Sequence, residues 1–295
     1  MKPIHLVILS IYIVSVSNSC NSDKINSVEK RRYNDSYTGS NLNKVAFPIG
    51  GIGAGMFCLE GTGAISHMSV RNRPEIYNEP CMFAAISLKG FKNGVKVLEG
   101  QVPDWKIFGA PGTGRGSRGM SWGFPRFANA KFLARFPFAY IELEDKELPL
   151  KVQLTGWSPF IPTDADNSSL PVGAIEYSFM NTSNSDIEVV FSYNSKNFMR
   201  QSGTIAPGTG SVMPRNKASI KPIPNGFVLS KESSKEAPYD QGDFAIFTNE
   251  SNTVVDYCWF TSGGGVKDDL TMPWNTISHG EVRSKPANDT DAIGA

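Results

Sequence analysis

Ile175-Glu176-Tyr177-Ser178-Phe179, then Asn181-Thr182-Ser183-Asn184-Ser185, then Ile187-Glu188-Val189-Val190-Phe191-Ser192-Tyr193: the reading of this stretch decides the fold class. Apolar side chains fall on alternate positions, so each flanking run, laid out as a strand, turns one face to a core. The Asn/Thr/Ser cluster between them is made of side chains that bond their own backbone, and predicts a hairpin turn. Working outward, Leu150, Val152 and Leu154 alternate with Lys151 and Gln153, and short apolar runs recur at 82–88, 94–98, 226–230, 243–247 and 253–260. Residues 127–140 read two ways. Phe132, Ala134, Phe136, Phe138 and Tyr140 alternate as one long strand, whereas Phe127-Ala128-Asn129-Ala130 suits a helix start that Pro137 would stop. Many short strands punctuated by 28 Gly and 19 Pro predict an all-β chain, a large β-sandwich, without repeats, coiled coil or βαβ alternation.

Lys and Arg number 29 against 28 Asp and Glu, so no basic excess exists to neutralise phosphates, and nucleic acid is excluded as a partner class. Residues 1–20 read as a targeting segment. Lys2 supplies the positive start, residues 4–16 an apolar run, and Ser17-Asn18-Ser19 the small residues before Cys20. This resembles a bacterial lipoprotein signal. It predicts export, lipidation of Cys20 and anchorage at a membrane surface of the cell envelope, periplasmic or outer. Ordinary signal cleavage, leaving Cys20 a spare thiol, is the alternative. Residues 21–45 are polar, include Lys30-Arg31-Arg32, and predict a flexible tether. The sandwich then occupies 46–295. Cys58, Cys81 and Cys258 are widely spaced, form no framework or CxxC pattern, and read as small buried hydrophobes. One disulfide among them stays open.

Several motifs match chemistry by letter only. Gly114-Arg115-Gly116-Ser117-Arg118-Gly119 fits GxGxxG, but no strand leads in and no helix start follows, so a mobile loop is the better reading. Gly119-Met120-Ser121-Trp122-Gly123 fits GxSxG, yet Pro125 denies Ser121 the helix that a nucleophile elbow needs. His67 and His279 stand without ligand neighbours at metal spacing, so neither metal nor cofactor is predicted. A glycosidase uses two facing carboxylates, and Glu75, Glu79, Asp104, Asp164, Asp166, Asp268 and Asp269 are available. None of them declares itself one of a pair. Asp164 and Asp166 sit in an Asp/Asn/Ser loop whose plainer use is to hold itself together.

Longer stretches carry a resemblance. Phe47-Pro48-Ile49-Gly50-Gly51-Ile52-Gly53-Ala54-Gly55 precedes Gly63-Ala64-Ile65-Ser66 and Val70-Arg71-Asn72-Arg73-Pro74-Glu75. Gly123-Phe124-Pro125-Arg126-Phe127 follows, then Gly156-Trp157-Ser158-Pro159-Phe160-Ile161-Pro162-Thr163-Asp164-Ala165-Asp166-Asn167-Ser168-Ser169-Leu170-Pro171-Val172, then Met272-Pro273-Trp274-Asn275-Thr276. In this order they resemble the N-terminal domain of glycoside hydrolase family 116, the non-lysosomal glucosylceramidase and β-glucosidase type. The Phe124 position departs slightly, Leu being commoner there. The resemblance implies a sandwich followed by an (α/α)6 barrel that carries a Glu nucleophile and an Asp acid/base, both outside this chain. It therefore assigns no catalytic residue here, and expects the chain to be inactive and to stop before its catalytic partner domain. Its substrates would be β-glucosides.

For the sandwich itself, Arg71, Asn72, Arg73, Trp157, Asp164 and Asp166 are candidates for a domain interface or the edge of a substrate site. Trp157 and Trp122 are also candidates for stacking on sugar rings. A competing reading is a surface lipoprotein module that holds glycan, or acts as a scaffold, without catalysis. A small stand-alone glycosidase using two of the carboxylates above is a third.

Overall fold

The computed structural model describes residues 31–70, 79–108, 120–199, 218–233, 241–259, 269–287 and 293–295, with 235 and 238 and the backbone of 204–205 and 212–213. Cys20, Arg71, Asn72, Arg73, Glu75, Asp268 and the GxGxxG run at 114–119 lie outside the described residues. The chain is an all-β sandwich. Strands β1 (Ala46–Ile49), β2 (Met56–Glu60) and β3 (Ile65–Ser69) form one sheet, and β4 (Met82–Leu88) lies between β5 (Val95–Val97) and β10 (Val189–Ser195) in another. Strands β6 (Asn129–Arg135), β7 (Phe138–Glu144), β8 (Leu150–Trp157) and β9 (Ala174–Asn181) make a four-stranded meander. Strands β11 (Thr204–Ile205) and β12 (Val212–Met213) pair alone, and β13 (Ala218–Ile223), β14 (Gly226–Lys231) and β15 (Gly242–Phe247) form a third three-stranded sheet. All pairings between these strands are antiparallel, as short connections allow.

The alternation of β8 carries into three dimensions without change. Leu150, Val152 and Leu154 are buried, whereas Lys151 and Gln153 face water. They join Phe132, Ala139, Ile141 and Leu143 from the same sheet, Ile49, Leu59 and Ile65 from the β1–β3 sheet, and Ala84, Ile86 and Leu88 from β4 in one core. β4 is buried along its whole length because its other face, Phe83 and Ala85, packs with Val97, Trp259, Leu270 and Ile277 in a second cluster. An unbroken apolar run is what a strand covered on both sides requires.

Three expectations change. The runs at 175–179 and 187–193 do not pair with each other. β9 pairs with β8, β10 pairs with β4, and the Asn181–Ser185 turn carries the chain from one sheet to the other. In that turn the Asn181 side chain accepts from Ser183 N at 2.9 Å and donates to Ser185 O at 2.7 Å, so the local reading holds while the pairing does not. Residues 127–140 are neither one strand nor a helix: β6 and β7 fold back at Phe136-Pro137, whose peptide is cis. The run at 253–260 contributes only a bridge at Asp256 among its described residues. The polar segment before the sandwich packs against it in part. Tyr37 exchanges backbone bonds with Phe132, at 2.7 and 3.0 Å, and Leu42 in the 3₁₀ turn Gly39–Lys44 is buried in the main core. Two apolar side chains spaced along a polar segment suffice to dock it.

Phe132 is fully buried at the centre of this arrangement, edge-on to Tyr37 and tilted against Phe47. Phe132→Ala removes the ring and leaves a cavity, and is expected to cost about 3–5 kcal/mol in a urea-unfolding measurement.

Candidate functional site

Among the described residues no group of three or more His, Cys, Asp or Glu side chains is placed to hold a metal ion. Ser121 is buried, and its hydroxyl accepts from Arg126 Nη2 at 3.1 Å, which makes it a structural serine. His279 Nδ1 lies 2.7 Å from Asn275 O, and His67 Nδ1 2.7 Å from Ser66 Oγ, both local contacts. Glu79 contacts Lys106, Asp269 contacts Lys196 and Asp164 contacts Asn167, so these three carboxylates have separate structural partners. Cys58, Cys81 and Cys258 are buried free thiols. Burial pushes the first two up to about 11, which keeps them protonated and inert near neutral pH.

The segments that resembled a family pattern come together in pairs. Gly50 N donates to Ser158 Oγ at 3.1 Å, and Ile52 N donates to Ser168 O at 2.8 Å. A Cβ on Gly51 would lie 2.1 Å from Leu170 O, so the two loops touch backbone to backbone only because residue 51 has no side chain. Gly55, at φ +95°, abuts the Ser69 carbonyl. The 158–172 loop is stiff in its own right. Ser168 Oγ accepts from Ile161 N and donates to Ile161 O, each at 3.0 Å. Asp164 caps the short helix α2 (Ala165–Ser168), accepting from Asn167 Nδ2 at 2.6 Å and Asn167 N at 3.0 Å. Those two bonds, the side-chain one foremost, hold its carboxyl below the usual range. Asp164 thus holds its loop, and Asp166 beside it is exposed.

On this rigid frame sit apolar side chains that no sequence argument singled out. Ile52, Phe136, Ile161, Leu170 and Val172 are 47–60% exposed, and Phe136 rests edge-on against Phe160 with ring centres 4.9 Å apart. An isoleucine between glycines at the tip of a loop was the available signal, since a tip cannot reach the core. Trp157 is half-buried at the rim. Its Nε1 donates to Glu176 Oε1 at 3.0 Å, and it lies opposite Phe138 on the outer face of the four-stranded sheet. Phe138 and Tyr140 continue this outward row with nearly parallel rings.

The second pair of segments meets at Phe124, whose ring stacks on Trp274 of α3 (Thr271–Ser278) at 4.0 Å and 12°. Arg126 fixes this corner. It donates to the carbonyls of Ser121, Trp122 and Phe124 and to Glu99 Oε2 at 3.2 Å. Nearby in the electrostatic sense lies Lys106 of α1 (Asp104–Phe108), held by Glu60 at 2.6 Å and Glu79 at 2.7 Å with its side chain 3% exposed. Burial pushes Glu99 and Glu79 above the usual carboxylate range, with Arg126 and Lys106 opposing it. Burial pulls Lys106 down, but its two carboxylate partners outweigh that and leave it above its ordinary value. The cluster is a clamp joining β2, the entry to β4 and α1.

Residues 46–295 match the family model described as beta-glucosidase 2, glycosyl-hydrolase family 116 N-term. The chain belongs to glycoside hydrolase family 116. No curated protein matches it. The match covers the whole sandwich, both pairs of meeting segments included, so in this family 116 domain the loop contact at Gly51 and the Phe124–Trp274 stack belong to the matched region.

Gly51→Ala is expected to push the 168–172 backbone away, to cost roughly 1–3 kcal/mol, and to speed protease cleavage between residues 160 and 172. Lys106→Met strands Glu60 and Glu79 without their cation. It is expected to lower stability by about 3–5 kcal/mol, read from the urea midpoint at neutral pH.

Proposed function

We propose that this chain is the non-catalytic N-terminal sandwich of a retaining β-glucosidase or glucosylceramidase-like hydrolase acting on β-glucosides, and that it works by bracing an (α/α)6 catalytic domain. The observation that carries the reading is the apolar crown of Ile52, Phe136, Ile161, Leu170 and Val172, exposed yet pinned by backbone hydrogen bonds. Exposed apolar groups on a rigid frame suit a preformed interface better than a solvated loop. Trp157, Asp164 and Asp166 edge the same crown and would meet the domain boundary or the rim of its substrate site. Arg71, Asn72 and Arg73, which lie outside the described residues, are proposed for the same boundary. Lipidation of Cys20 would hold the whole enzyme at the bacterial envelope membrane.

A second reading, a surface module that holds glycan, is favoured by the outward row of Trp157, Phe138 and Tyr140, whose rings offer flat apolar faces.

The deciding experiment expresses the complete reading frame beside residues 1–295. The complete protein is expected to release product from an aryl β-glucoside and the shorter chain to release none. Ile161→Asp combined with Leu170→Asp is expected to cut the activity of the complete protein at least about tenfold by separating the domains. Hydrolysis by residues 1–295 alone, or full activity after both substitutions, would overturn the bracing role. Oligosaccharide binding by residues 1–295, lost on Trp157→Ala, would favour the second reading. Cys20→Ser is expected to move the protein from the membrane to the soluble fraction.

A further inference from the structure

Among the described residues, β10 pairs with a neighbouring strand, β4, along one side, and its other side is bonded at its C-terminal end alone. Lys89 N donates to Glu188 O at 3.0 Å and Lys196 N to Cys81 O at 2.8 Å, so residues 188, 190, 192, 194 and 196 turn their backbone groups toward β4 and its flanks. Val189, Phe191, Tyr193 and Ser195 therefore turn theirs outward. At Ser195 that outer side is taken: its N donates to Ala295 O at 2.8 Å, and Ala295 N returns a bond to Ser195 O at 3.0 Å. Asn197 N donates to Ile293 O at 2.7 Å, with Lys196 opposite Gly294. These are successive rungs of an antiparallel ladder. At Tyr193, Phe191 and Val189 the outward groups meet no partner among the described residues.

We propose that the outer edge of β10 receives one more antiparallel strand, formed by the chain as it continues from Ala295. The rungs already in place fix the register. The second, fourth and sixth residues after Ala295 fall opposite Tyr193, Phe191 and Val189 and share their face. That face belongs to the core, because Tyr193, Phe191 and Val189 lie opposite Ala84, Ile86 and Leu88. Ala295 obeys the same rule, buried with Met199, Ile220 and Phe227. The edge also carries an uncovered aromatic pair. Phe191 is 42% exposed and Phe179 of β9 39% exposed, with ring centres 5.8 Å apart, although both sit on core-facing positions. Apolar side chains at the second and fourth positions would cover them. The occupant is the chain's own continuation because its first rungs are already made, and only local closure remains. A long open edge is otherwise a site for unwanted pairing.

The inference rests on the proposed longer hydrolase, and two measurements separate their failures. Hydrogen exchange read by mass spectrometry compares residues 1–295 with the complete protein. The amides of Val189, Phe191 and Tyr193 are expected to slow by about a hundredfold or more in the complete protein, while those of Val190, Ser192 and Asn194 are protected in both. Ser192→Cys paired with a cysteine at the third residue after Ala295, a non-hydrogen-bonded pair, is expected to form a disulfide on oxidation. The same cysteine moved one residue either way is expected to form none. Unchanged exchange at the three amides, or cross-linking only in a shifted register, overturns the added strand even if the complete protein hydrolyses glucosides. A stop codon directly after Ala295 overturns both readings.

Discussion

One face of the β6–β9 sheet has to be kept from water, and two smaller sheets, not one large one, meet over it. Phe132, Ile141 and Leu154 from the four-stranded sheet share one buried cluster with residues of both the β1–β3 sheet and the sheet centred on β4. This shared core links layers that backbone hydrogen bonds alone leave separate, and dispersion plus burial at each fully enclosed ring adds up to most of what holds them. The polar 37–45 segment is drawn in by the same need, through Tyr37 and Leu42. A third sheet leans on the core's margin through Phe244 and Ile246.

Because the layers are separate sheets, their junctions need other chemistry, and the domain supplies it with charge and with glycine. Lys106 between Glu60 and Glu79 ties β2 to α1 where no strand pairing is available, and Arg126 to Glu99 does the same at the next corner. Such buried pairs add little net stability but are costly to leave half-made, so they fix geometry more than they lower free energy. Where the loops at 50–55 and 158–172 meet, no side chain would fit at residue 51. There the backbone of Gly51 lies directly on that of Leu170, and hydrogen bonds at Gly50 and Ile52 lock the approach. The consequence is a loop pair rigid enough to display apolar side chains that a mobile loop would fold away.

The domain is thus finished on some borders and open on others. Its outer sheet face carries exposed ion pairs such as Lys131–Glu142 and Lys151–Glu144, as a solvated sheet does. The crown around Ile52 and Ile161 and the edge of β10 break that rule in different ways. The crown exposes side chains on a complete backbone framework, whereas the edge exposes backbone groups beside core-type rings. Side-chain exposure calls for a surface to press against, and backbone exposure calls for a strand.

Local periodicity determined what lay within one element. The alternation at 150–154, the apolar runs at 82–88, 226–230 and 243–247, the all-β class and the turn chemistry of Asn181 were all readable from residue order, since side-chain direction in a strand follows from position alone. Landmark segments in the right order also carried the family. Partner choice was not readable. Residues 175–179 and 187–193 look like a hairpin, yet pair with β8 and β4, because a sandwich corner and a hairpin share the same turn signals and differ only in distant contacts. Likewise nothing in Glu60, Glu79 or Lys106 announces a mutual contact across dozens of residues, and an exposed Ile52 reads like a buried one until its loop is placed. The residues set which way each strand faces. Only the packed layers decided which strands are neighbours and which apolar side chains are left outside.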